Sequence, residues 1–145
     1  MNTSKIEVFN LIEYLKNPDP CYDKNYFKVC ILEPESKLHY TDKSIHIAQT
    51  SLIFLNPKMP YEWEANFEKQ YGYFCRFNLD FIDDNELLQE TTLTELLRNS
   101  VYIPTKTQAE LIYSLFRGMM EEKNIEILKL YLKLIIHESK KTEPS

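Results

Sequence analysis

The sequence predicts a mainly β domain, an antiparallel sandwich or barrel, followed by two C-terminal α-helices. Three observations carry this reading. Short apolar segments recur at even spacing between residues 26 and 79, each bounded by turn chemistry. No helical segment interrupts them, which excludes βαβ units and a parallel sheet. Beyond residue 104 the apolar residues change to the spacing of amphipathic helices. A chain of 145 residues fits one domain and buries roughly 68–70% of the surface exposed when unfolded.

In chain order, the first fifteen residues show weak patterning, and Asn10 with Glu13 three residues on suggests the cap of a short helix carrying Ile12 and Leu15. Pro18 and Pro20 stop it. The strand candidates are YFKVCIL at 26–32, KLHY at 37–40, SIHIA at 44–48, SLIFL at 51–55, YEW at 61–63 and YGYFCRFNL at 71–79. Within the second and third, Leu38 and Tyr40 alternate with Lys37 and His39, and Ile45 and Ile47 with Ser44 and His46, which predicts a hairpin with one buried face. In the last, Tyr73, Cys75 and Phe77 share one face, and Phe74 and Arg76 share the other.

An acidic, leucine-rich stretch comes after Leu79, with Thr92 and Glu95 at capping-box spacing, and VYI at 101–103 reads as one further strand. Thr107 and Glu110 repeat the capping-box spacing before Leu111, Ile112, Leu115, Phe116, Met119 and Met120, which form one apolar stripe. The last helix is expected from about Asn124 to about Lys140. Its apolar residues are too widely distributed for one face, so it needs a second buried surface, such as a partner subunit. Leu128, Tyr131, Leu132 and Ile135 are assigned to that homodimer interface, and Leu111, Leu115 and Phe116 to packing on the β-domain. Residues 1–103 are read as the barrel with an N-terminal extension, and 104–145 as a helical pair of the same domain.

Composition narrows the chemistry. Only Gly72 and Gly118 are glycine, so loops that cradle phosphates with several close glycines are absent. A net charge of -5, with basic residues scattered among acids, argues against direct nucleic-acid binding. The sequence has no run approaching a membrane span, and the charged first fifteen residues do not resemble a signal peptide, which points to a cytoplasmic protein. Cys21, Cys30 and Cys75 are odd in number and widely spaced, which suits reduced thiols; the latter two sit in apolar strands as small hydrophobes. His39, His46 and His137 have no ligand spacing, so no metal site or other cofactor is expected. The carboxylates Asp80, Asp83, Asp84 and Glu86 lie in a solvated connection and define no acid–base pair.

Aromatic residues are abundant, with eight Phe, ten Tyr and one Trp. Core packing explains any one of them. As a group, they suggest a small-ligand pocket inside a barrel, lined by Tyr40, Trp63, Tyr73 and Cys75.

The run from Tyr26 to Ile82 resembles the N-terminal regulatory domain of AraC-family transcriptional regulators of the Bacteroidetes type. The matching pieces are Leu38-His39-Tyr40, Phe54-Leu55-Asn56-Pro57 followed by Pro60-Tyr61-Glu62-Trp63, and Gly72-Tyr73-Phe74-Cys75-Arg76-Phe77. The similarity continues to Leu134-Ile135-Ile136-His137-Glu138 and covers about residues 26–140. It implies a cupin-like barrel, a double-stranded β-helix, that senses a small effector such as a sugar. It further implies a dimerising helical pair and a helix-turn-helix domain that reads DNA. The DNA-binding domain is absent from this chain, which resembles either an expressed fragment or a regulator without its DNA-reading half. Metal-binding cupins carry histidines in the first strand region and after a proline turn. The matching places here hold residues 21–26 without His, and Tyr61, so that metal chemistry is not implied. The expected function is non-enzymatic sensing. A small metal-independent cupin enzyme of isomerase or epimerase type, and a ligand-free dimerisation module, are the alternatives.

Overall fold

The computed structural model describes residues 6–11, 13, 26–34, 36–40, 44–55, 61–65, 71–77 and 101–139. The expected helix cap at Thr92 and Glu95, together with Cys21, lies outside the described residues. The strands are β1 (Ile6–Asn10), β2 (Phe27–Leu32), β3 (Ser36–Tyr40), β4 (Ser44–Ile47), β5 (Ser51–Leu55), β6 (Tyr61–Ala65), β7 (Gly72–Phe77) and β8 (Val101–Tyr102). Two helices complete the chain order, α1 (Lys106–Glu121) and α2 (Ile125–Ser139).

All described pairings are antiparallel and fall into two sheets, one in the order β1-β7-β2-β5-β8 and one in the order β4-β3-β6. Among the described residues these ladders do not close into a single barrel. The result is a mainly antiparallel β fold with two C-terminal helices.

The large sheet is buried on both faces. Against the small sheet it presents Cys30, Leu32, Ile53, Leu55 and Phe74, which pack with Leu38 and Ile47. Against the helices it presents Val29, Ile31, Leu52, Phe54, Cys75 and Phe77, which pack with Ile112, Phe116, Leu132 and Ile135. This double burial explains why FKVCIL and SLIFL are mostly apolar without alternation and have every residue buried. One-sided strands alternate, and β4 does so, leaving Ser44 and His46 exposed and burying Ile47.

Two local features differ from the sequence-based expectation. The N-terminal segment forms β1, which completes the edge of the large sheet beside β7. Asn10 still acts as a cap at the end of that strand, its Oδ1 accepting the Glu13 backbone N–H at 2.8 Å. The capping box of α1 lies two residues earlier than expected, at Thr105 and Gln108 rather than Thr107 and Glu110. Pro104 favours that earlier start because it disfavours helical geometry at Ile103 and can itself precede a cap.

α2 is capped by Asn124, whose Oδ1 accepts from the backbone N–H groups of Glu126 and Ile127. Gly118 lets the two helices approach closely. A Cβ there would stand 2.6 Å from the Tyr131 hydroxyl oxygen. At Gly72, on β7, a Cβ would stand 2.2 Å from the Ile31 carbonyl oxygen of the neighbouring strand.

Candidate functional site

The residues assigned to one pocket separate into two layers. Tyr73 and Cys75 share a face of β7, as alternation requires, but that face meets the helices. The Tyr73 ring stacks on Phe116 at 5.8 Å between centroids and 8° between planes. The opposite face of β7 holds Phe74, packed with Leu38 in the inter-sheet layer. The expectation that Tyr73 and Cys75 line the same interior as Leu38 is therefore corrected: a sheet covered on both sides has two apolar faces, and alternation alone does not say which meets which partner. Tyr40 and Trp63 lie in the small sheet, where the backbone register sets Tyr40 opposite Tyr61 and Trp63 opposite Leu38. Their side chains lie outside the described residues.

Cys30 and Cys75 are fully buried on opposite faces of the large sheet. Burial pushes both thiols well above their ordinary pKa; for Cys30 the nearby Lys28 ammonium partly opposes the rise. The Cys30 thiol donates to the Ile53 carbonyl oxygen at 3.7 Å. Both are inert packing groups under ordinary conditions.

The inter-sheet face of the large sheet also carries charge that no sequence motif announced. Glu7, Arg76 and Lys28 stand side by side on β1, β7 and β2. Arg76 Nη2 donates to Glu7 Oε1 at 2.5 Å, and its guanidinium carbon lies 4.9 Å from the centre of the Tyr26 ring. Lys28 is only 3% exposed. A lysine inside an apolar run is the sequence signal for this row, because a solvent-facing lysine is ordinary and a buried one is rare.

His39 and His46 are not directly opposed across the hairpin. His39 pairs with Ser44, whose hydroxyl lies 2.6 Å from His39 Nδ1, and His46 pairs with Lys37. His39, His46 and His137 belong to no group of potential metal ligands among the described residues.

On the helix side, tyrosines gather where β7 meets α1. The Tyr71 and Tyr73 hydroxyls are 3.4 Å apart, and the Tyr71 and Tyr113 rings are 5.4 Å apart. Burial, then the hydrogen bond with Tyr71, raises the Tyr73 hydroxyl pKa; Arg117 opposes this. Tyr113 donates to Glu33 Oε2, and burial followed by that bond pushes its hydroxyl pKa upward. Thr50 Oγ1 donates to the same Glu33 oxygen at 3.0 Å. These bonds tie the β2–β3 and β4–β5 connections to α1. Beside them opens a cleft of about 440 Å³ whose polar wall includes Glu33, Gln49, Lys106 and Glu110.

The helical pair corrects the interface assignment. Leu128, Leu132 and Ile135 are buried within the chain, in the layer that also holds Phe116 and Phe54, so they have no free surface for a partner. Tyr131 is half-buried beside Gly118. Leu115 and Phe116 face the sheet as expected, whereas Leu111 is exposed. The exposed apolar stripe of α2 is Ile127, Leu130 and Leu134.

No family model matches the chain, and no curated protein matches it. The fold is similar to that of ToxT. The comparison is with the crystal structure of ToxT from Vibrio cholerae O395 bound to (E)-4-(8-methylnaphthalen-1-yl)but-3-enoic acid. It gives a TM-score of 0.50 at 14% identity and covers 96% of this chain. The chain spans 54%, about half, of the length of ToxT. At that identity the likeness to ToxT is one of fold. Among the described residues, no helix is long and apolar enough to cross a membrane.

Proposed function

We propose that this chain is the effector-sensing domain of an AraC-type transcriptional regulator, with DNA recognition supplied by a region outside it. The observation that carries the reading is the fold similarity to ToxT over 96% of the chain. The sequence resemblance to AraC-family regulators is consistent with it. No catalytic step is required: an effector shifts the protein between arrangements in proportion to its preference for one of them.

The effector enters the layer between the two sheets. Lys28 and Arg76 supply cationic groups for a carboxylate or similar anion, and Tyr40 and Trp63 contribute from the small sheet. The ligand in the ToxT crystal is itself an organic acid. Lys28 and Arg76 favour an acidic effector over the sugar that the resemblance implies. Homodimerisation proceeds through Ile127, Leu130 and Leu134, the apolar stripe that the chain leaves exposed.

Trp63 is the one tryptophan and gives a direct optical readout. Titration with a panel of small aromatic and aliphatic carboxylic acids is expected to change its fluorescence saturably and to raise the melting temperature as mass action requires. Lys28→Met should weaken the response. If no acid shifts either signal, or if Lys28→Met and Arg76→Met, both folded, respond like the parent, the inter-sheet effector site is wrong.

A further inference from the structure

The cleft beside α1 is separate from the inter-sheet layer. It brings together three connected parts of the fold: Glu33 after β2, Gln49 and Thr50 before β5, and the first two turns of α1. Its apolar floor is Ile103, Pro104 and Ala109.

The polar groups are arranged by charge. Thr50 and Tyr113 both donate to Glu33 Oε2, and among the described residues no hydrogen bond reaches Oε1. A carboxylate has acceptor sites on both oxygens, so Oε1 remains available to a donor from a ligand. Lys106, Glu110 and Tyr113 lie at i, i+4 and i+7 along α1, which places them on one side of the helix over an axial distance of about 10 Å. Lys106 makes no ion pair among the described residues and stands at the N-terminal end of α1. Glu110 and the Glu33–Tyr113 pair stand further along. The lining thus combines a cation and an amide with two carboxylates around an apolar floor.

We propose that this cleft binds a free amino acid, its ammonium group held by Glu33 Oε1 and Glu110 and its carboxylate by Lys106 with the Gln49 amide. A neutral molecule would leave both kinds of formal charge unused, and a simple amine or acid would use only one. The volume of about 440 Å³ lies toward the small end of the range for ligand pockets. Because the walls come from the sheet connections and from α1, an occupied cleft holds the helix against the sheet. Occupancy therefore adds stability in proportion to the logarithm of ligand concentration over Kd. This site goes beyond the effector reading and does not depend on it, since the two sites lie on opposite faces of the large sheet.

The test uses the full chain in thermal unfolding and calorimetric titration, with each proteinogenic amino acid at millimolar concentration. At least one is expected to raise the melting temperature with concentration. Its N-acetyl derivative and its amide are both expected to lose the effect, because each removes one of the two charges. Glu33→Gln keeps acceptors for Thr50 and Tyr113 but removes the charge, and Lys106→Met alters an exposed side chain. Each should weaken binding by roughly tenfold or more, the loss expected for one charge-assisted hydrogen bond, with the unliganded melting temperature of Lys106→Met unchanged. The proposal is overturned if no amino acid produces a shift, if either blocked derivative binds as well as the free form, or if Lys106→Met binds normally. The Trp63 response to organic acids in the Lys106→Met protein reports separately on the inter-sheet site.

Discussion

Leu130 and Leu132 are two positions apart on α2 and have opposite surroundings: Leu130 is 56% exposed, and Leu132 is fully buried in the helix–sheet layer. Truncating each to alanine changes the same atoms and barely changes helix propensity, so the difference reports burial alone. For Leu132→Ala the lost transfer energy and the cavity together cost about 3 kcal/mol, within a usual range of about 2–5. Unfolding entropy is about 2.1 cal/mol/K per residue, or about 0.3 kcal/mol/K for a chain of this length, so each kcal/mol lowers Tm by about 3 °C. Leu132→Ala should therefore melt about 10 °C below the parent. Leu130→Ala should change monomer stability by no more than about 0.5 kcal/mol. Since dimerisation adds stability by mass action, melts belong at two protein concentrations, alongside sedimentation. Leu130→Asp is expected to shift the distribution toward monomer without loss of β circular dichroism. A Leu132→Ala protein that melts with the parent but dissociates, together with a silent Leu130→Asp, would refute the allocation of faces.

The two glycines give a ranked prediction. Gly72→Ala drives a Cβ into a neighbouring strand's backbone oxygen, which cannot swing away, and should cost about 1–3 kcal/mol or more. Gly118→Ala meets the end of the Tyr131 side chain, which can rotate, and gains helix propensity of about 1 kcal/mol; in urea unfolding it should be the milder of the two. The opposite ranking would contradict the described register. The buried thiols predict alkaline sensitivity: folded Cys30 and Cys75 keep their protons where the unfolded chain loses them. Their contribution is complete below an unfolded pKa of about 8.5 and falls above it by up to about 1.4 kcal/mol per pH unit per thiol. Denaturation midpoints that stay level from pH 8 to pH 10, in both the parent and a Cys75→Ala variant, would count against that burial. Titration into labelled duplex DNA at physiological salt should show no saturable, sequence-dependent binding by this acidic chain.

Much of the strand order was legible because each strand is short, apolar and closed by Pro, Asn, Asp or Ser chemistry. The SLIFL strand occupies the residues expected of it, and the buried Leu38 and Ile47 obey the alternation of the hairpin. β1 was not legible. IEVFN is a lone segment whose strand character depends on pairing with β7, a partner nearly seventy residues away. The same distance hid the Glu7–Arg76–Lys28 row, since no local spacing links three residues that become neighbours only through cross-strand register. The cleft was hidden for a similar reason, its walls coming from two sheet connections and a helix.

Apart from β1, local chemistry by itself determined which segments become strands and helices, which side chains share a strand face, and that the last helix carries more apolar surface than one face can hold. Those properties come from backbone periodicity, and every residue needed to read them lies within one segment. Tertiary structure alone decided where each face points. The large sheet is covered on both sides, so Tyr73 and Cys75 could face either the small sheet or the helices with equal local cost, and packing against Phe116 selects the helices. In α2 the contact with α1 and the sheet takes Leu128, Leu132 and Ile135, and the stripe from Ile127 to Leu134 remains at the surface because a cylinder that buries one side must expose the other.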